Sequence, residues 1–209
     1  MIIYMSDILC VTNRSLCKED FLVRIEKIAK TEAAGIILRE KDLSEEEYRT
    51  LAEKILTICQ KQKMQCILHT YTNIAGKLAC NAIHLPMSIL RTLPEKERDT
   101  FRILGASCHS LEEAVEAEKL GCTYITAGHI YETDCKKGLP GRGIGFLKQI
   151  CETVSIPVYA IGGISAENIR EIKNAGAAGG CIMSGMMQCE DVQGYLKGFK
   201  NYNQPSSQQ

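Results

Sequence analysis

The sequence lacks an excess of either charge: Lys and Arg total 25, and Asp and Glu total 25, over 209 residues. Without an overall field to attract nucleic acid or an anionic membrane, a charged ligand must be met by charge placed locally. A small-molecule partner is expected, and neither nucleic acid nor membrane. The chain also lacks any apolar run near the roughly 18 residues that would suggest a membrane span. Its first residues, MIIYMSDILCVT, lack the basic start and long apolar stretch of a secretory signal, so a cytoplasmic location is the expectation. Eleven cysteines are present, but the count is odd and no two stand in a CxxC spacing. Tetrahedral zinc sites usually show at least one closely spaced ligand pair, so reduced, largely buried thiols and no metal are expected.

What is present is alternation. Short apolar runs recur at DILCVT (7–12), GIILRE (35–40), CILH (66–69), AIHL (82–85), ILGASC (103–108), YITAGHI (124–130), PVYAIGG (157–163) and GGCIMS (179–184). Between most of them lie stretches with helical spacing. From Ser44 to Lys61, Tyr48, Leu51, Ile55 and Ile58 share a face and Glu45 to Glu47 enrich the first turn. Leu111 to Leu120, Ala166 to Asn174 and Asp191 to Phe199 read the same way. Strands that are apolar throughout imply a parallel sheet covered on both faces. Eight such units in about 200 residues predict an α/β fold, a single (β/α)8 TIM barrel over residues 1–200, with NYNQPSSQQ (201–209) as a polar tail.

In such a barrel the chemistry gathers at the carboxyl ends of the strands. Those ends carry Arg39 and Lys41, His69, His84, Ser107 and His109, His129, Gly162 and Gly163, and Ser184 and Gly185. IGGISAEN (161–168) is a strand, a glycine pair, Ser165 and a helix, and CIMSGM (181–186) repeats that logic. Glycines allow close backbone approach, and the N–H groups of a helix start favour an anion. Gly162, Gly163, Ser184 and Gly185 are therefore candidate phosphate-binding residues. The plainer alternative is a tight turn with Ser165 as an N-cap. Arg39 and Lys41 are suited to a carboxylate or phosphate, although Arg39-Glu40-Lys41-Asp42 could instead pair within itself.

After the sixth strand comes GHIYETDCKKGLPGRG (128–143), longer than the usual short strand-to-helix loop. Together with LREKDLS (38–44), AIHL (82–85), LGASCHS (104–110), the EEAxxAxxxG run (112–121) and IPVYAIGGI (156–164), it resembles the thiamine phosphate synthase superfamily. The resemblance implies a (β/α)8 barrel, often a homodimer, acting on phosphorylated thiazole or pyrimidine precursors of thiamine.

The chain departs from the synthase branch of that superfamily. Ile37 stands where synthases have glutamine, His69 and Thr70 where they have Asn-Asp, and Pro86 to Ile89 where they have Gly-Gln and a second acid. The missing carboxylates would hold magnesium against a diphosphate. His129 replaces a proline and Cys135 a threonine, while Thr133 and Lys136 remain. The loop is instead similar to that of the thiazole tautomerase (TenI-like) branch, whose GHxFxTxxKxGxPxRG pattern it matches with only Tyr131 for phenylalanine. That resemblance implies isomerisation of a carboxythiazole phosphate to its aromatic tautomer, with His129 as the catalytic group; the alternatives are a magnesium-dependent thiamine phosphate synthase and a non-catalytic regulatory or ligand-binding relative. Moving one proton between two carbons needs one base that returns it as an acid. Histidine suits this, and no cofactor is required. Ser107, Thr133, Lys136 and Arg142 are candidate substrate contacts. His69 is the rival base or a further contact, His84 is read as a hydrogen-bonded strand histidine, and His109 as a brace of the following helix.

Overall fold

The computed structural model describes residues 7–133 and 138–200. Each of the eight apolar runs forms a parallel strand: β1 (Ile8–Val11), β2 (Gly35–Leu38), β3 (Cys66–His69), β4 (Ala82–Pro86), β5 (Ile103–Cys108), β6 (Tyr124–Gly128), β7 (Val158–Ile161) and β8 (Gly179–Ile182). Neighbours pair in chain order, and β8 returns to β1 with Cys181 opposite Leu9. The result is a closed (β/α)8 barrel, as expected.

Successive side chains of a strand point to opposite faces, and here both faces are covered. Leu9, Val11, Ile37, Ile67, Tyr124 and Tyr159 fill the barrel interior. Ile8, Cys10, Ile36, Leu38, Leu68 and Ile83 pack outward against helices. This double burial is why the runs read as continuously apolar. Each fully buried Leu or Ile contributes about 1.5–3 kcal/mol.

The outer layer consists of α1 (Phe21–Ala29), α2 (Glu45–Gln62), α3 (Thr72–Lys77), α4 (Met87–Leu90), α5 (Glu95–Arg98), α6 (Leu111–Lys119), α7 (Gly143–Thr153), α8 (Ile169–Asn174), α9 (Ser184–Gln188) and α10 (Val192–Gly198). A capping box starts α2: Ser44 Oγ accepts from the Glu47 N–H and Glu47 accepts from the Ser44 N–H. Its buried face is Tyr48, Ala52, Ile55 and Cys59, while Leu51 and Ile58 are only half-buried. The stripe keeps Tyr48 and Ile55 but takes Ala52 and Cys59 in place of Leu51 and Ile58, and Tyr48 is tied to the barrel. Its hydroxyl donates to the Leu38 carbonyl at 2.7 Å and accepts from the His69 N–H at 2.8 Å.

A second correction concerns the segment after β7. The helix expected from Ala166 starts only at Ile169. The Asn168 side chain accepts from the Ser165 N–H at 2.9 Å and donates to the Gly163 carbonyl at 2.8 Å, closing a turn before the helix begins. Ser165 therefore does not cap through its side chain.

All ten described cysteines are unbridged, and Cys10, Cys59, Cys66, Cys108, Cys122 and Cys181 are buried. Burial pushes the Cys108 and Cys122 thiols up to about 12. Among the described residues no helix is long and apolar enough to cross a membrane.

Candidate active site

The carboxyl ends of the strands enclose a cavity of about 520 Å³. Of the residues singled out in the sequence, Arg39, Lys41, His69, Ser107, His129, Thr133, Gly162, Gly163, Ser184 and Gly185 line it. Lys136 lies outside the described residues. Arg142 is not brought to the cavity. Its guanidinium sits 5.2 Å from the centre of the Phe146 ring, and its N–H donates to the His129 carbonyl at 2.9 Å. Arg142 thus joins the two ends of the loop through its backbone, and the stacked side chain points elsewhere.

The floor is polar where the barrel below it is apolar. His84 is buried and shares hydrogen bonds with the Tyr124 hydroxyl at 2.9 Å and with Ser107 Oγ at 2.8 Å. It is the hydrogen-bonded strand histidine expected, and it also reaches the cavity. His69 stacks on it with ring centres 5.8 Å apart, and its Nδ1 is 2.6 Å from Thr70 Oγ1. Burial, with His84, Arg39 and Lys41 nearby, pushes His69 down to about 2. Burial alone pushes His84 down to about 3. Both imidazoles are neutral at physiological pH and are poor proton acceptors.

Arg39 and Lys41 line the cavity, and the acids between and beyond them bond to groups that follow β1. Glu40 is buried and accepts from Thr12 Oγ1 at 2.7 Å, from the Arg14 N–H at 3.0 Å and from Arg14 Nη1 at 3.3 Å. Asp42 accepts from Arg14 Nη1 at 2.6 Å. Both acids of the Arg39 to Asp42 run engage Arg14, which follows β1.

His129 follows the last residue of β6, after a cis peptide from Gly128. Its Nε2 is 3.2 Å from the Leu139 carbonyl. A carbonyl can only accept, so Nε2 is the donor of this hydrogen bond and Nδ1 is left facing away from it. His109, read as a helix brace, does brace α6, its N–H donating to Glu113 Oε2 at 2.7 Å, and it plays a second part. Ser110 caps α6, while His109 Nδ1 donates to the Gly128 carbonyl at 2.9 Å and so steadies the peptide that precedes His129.

The two glycine turns have different causes. Gly162 and Gly163 have φ of +95° and +67°, the left-handed region open to glycine. They also lie against the loop: the Ile130 N–H donates to the Ile161 carbonyl and the Tyr131 N–H to that of Gly162. Gly185 instead has the Tyr195 hydroxyl 1.9 Å from where a β-carbon would stand. Tyr195 and Gln188 complete the cavity wall from α10 and α9, and nothing in their local sequence announces it.

No Asp or Glu is among the described residues lining the cavity, and no group of three or more His, Cys, Asp or Glu among the described residues is placed to hold a metal. Magnesium is usually held by one or two carboxylates together with waters and phosphate oxygens, and no described lining residue supplies a carboxylate.

Residues 8–186 match the family described as thiamine monophosphate synthase. Thiamine-phosphate synthase 2 of Streptococcus pneumoniae serotype 4 is 34% identical over 197 residues, covering 90% of this chain and 91% of the relative. Thiamine-phosphate synthase of Fusobacterium nucleatum subsp. nucleatum is 32% identical over 197 residues, covering 92% and 95%. The solved structure of thiamine phosphate pyrophosphorylase from Pyrococcus furiosus is 28% identical, covers 94% of each chain and superposes with a TM-score of 0.79. With the family match running from β1 into α9, the chain belongs to the thiamine monophosphate synthase (TMP-TENI) family.

Proposed function

We propose that the protein is a thiazole tautomerase of thiamine biosynthesis, converting a non-aromatic carboxythiazole phosphate to its aromatic tautomer. The observation that carries this reading is His129 at the mouth of a cavity whose described lining holds cations, hydroxyls and imidazoles but no carboxylate. A magnesium diphosphate has no described carboxylate there to hold the metal, whereas a substrate with a carboxylate and a phosphate meets Arg39 and Lys41. In this reading Gly162, Gly163, Ser184 and Gly185 receive the phosphate. Arg39 and Lys41 face the carboxylate, and Ser107, Thr133 and His69 contact the ring. His129 Nδ1 takes the proton from the ring carbon bearing the carboxylate. The electron pair moves into the ring as the exocyclic double bond shifts, and the imidazolium returns the proton to the exocyclic carbon. No atom is gained or lost. His69 is a weaker candidate for the base because it is buried and its basicity is depressed.

The second reading is thiamine-phosphate synthase, and the names of the relatives favour it. A parallel assay separates the two. Purified protein receives the carboxythiazole tautomer alone, or thiazole phosphate with pyrimidine diphosphate and magnesium. Metal-independent aromatisation that disappears in His129→Asn supports the tautomerase. Thiamine phosphate formed in the second reaction overturns it in favour of the synthase.

A further inference from the structure

The residue at which the loop departs from the tautomerase pattern, Tyr131, makes a contact that phenylalanine cannot. Its hydroxyl donates to Glu171 Oε2 at 2.6 Å, joining the loop after β6 to α8, forty residues on. The same residue is bonded through its backbone to β7's end, its N–H donating to the Gly162 carbonyl at 3.1 Å. A β-carbon on Gly163 would stand 2.7 Å from the Tyr131 β-carbon, so the turn lies directly against this side chain. On the far side of the turn Asn168 donates to the Gly163 carbonyl. The Gly162–Gly163 turn is thereby held between Tyr131 and the start of α8, and the Tyr131 to Glu171 bond closes the clamp.

We propose that Tyr131 and Glu171 form a positioning pair that latches the loop carrying His129 onto the β7–α8 unit, so that His129 and the Gly162–Gly163 turn are held as one body. Neither residue touches the reacting atoms. Their effect is on the separation between the proton-transfer group and the end of the cavity at which the phosphate is placed. The kinetic consequence rests on the tautomerase reading, whereas the latch itself does not.

The test compares wild type with Tyr131→Phe, Glu171→Ala, Glu171→Gln and the Tyr131→Phe, Glu171→Ala double variant. Hydrogen exchange is followed in peptides covering residues 129–133. Loss of the bond is expected to speed exchange there roughly threefold to tenfold, the range that one net hydrogen bond supports. The double variant should be no faster than either single variant. Glu171→Gln keeps an amide oxygen able to accept from the tyrosine and should stay near wild type. With the carboxythiazole tautomer as substrate, kcat should fall in Tyr131→Phe and Glu171→Ala while KM stays within about twofold, as for a group acting on alignment and not on uniform binding. Unchanged exchange in both variants overturns the latch whatever the kinetics. Faster exchange with unchanged kcat overturns its positioning role. A wild type without turnover overturns the tautomerase reading instead, and exchange alone then decides the latch.

Discussion

Gly162 lies directly beneath His129: a β-carbon on the glycine would stand 2.3 Å from that of the histidine. The glycine φ of +95° adds backbone strain to any substitution. Gly162→Ala is therefore expected to cost about 1–3 kcal/mol of stability and to push the loop off β7. Urea unfolding with a parallel turnover assay checks both effects. A variant with native midpoint and native rate would contradict the contact.

His129 itself carries little of the fold, since its imidazole has one described hydrogen bond, in an exposed setting. His129→Asn should lower tautomerisation about 10²–10⁴-fold, the usual range for a lost general acid–base group. Its urea midpoint should stay near wild type. A retained rate would move the base to another residue.

The two buried histidines make stability depend on pH. Their pKa values are depressed in the folded protein, to about 2 for His69 and about 3 for His84, against an unfolded value near 6.5. Below that value the unfolded chain binds more protons than the folded one. The contribution is thus complete above about pH 6.5 and is lost as pH falls towards the folded pKa values. Each group supplies a slope of up to about 1.4 kcal/mol per pH unit in that window. Urea midpoints between pH 4 and 7 should fall with acid, and His84→Gln should show a shallower dependence than wild type. Parallel curves would mean that His84 is not buried in its neutral form.

Glu40 anchors the ends of β1 and β2. Glu40→Ala leaves the Thr12 hydroxyl and the Arg14 N–H without their acceptor and should cost about 2–4 kcal/mol. Glu40→Gln, which keeps an oxygen acceptor, should cost less. A difference of under about 0.5 kcal/mol between Ala and wild type in urea unfolding would show that the clamp is dispensable.

Much of the barrel is legible in the chain because each strand is a short apolar run with its reason for burial on both faces. What is not legible involves polar partners that no apolar pattern marks. The late start of α8 depends on Asn168 turning back to Ser165 and Gly163. The likeness between IGGIS and IMSGM hides two causes, left-handed φ at Gly162 and Gly163 and the Tyr195 hydroxyl against Gly185. His109 bonds a carbonyl on the neighbouring strand, and no local pattern encodes which carbonyl that is. Arg142 was the readable miss. It lies four residues before Phe146, the spacing at which side chains on a helix meet, and it stacks on that ring instead of turning to the cavity.

The cations at the cavity also bear on how a ligand arrives. A chain with no net charge nevertheless presents a cavity mouth with Arg39 and Lys41 and no described carboxylate. Fixed charge in a cleft can raise the local concentration of an oppositely charged ligand even where the net charge is zero. The encounter rate of an anionic ligand should then fall with ionic strength as the screening length shrinks below roughly 10 Å. Capture, and not only chemistry, would answer to the salt around the protein.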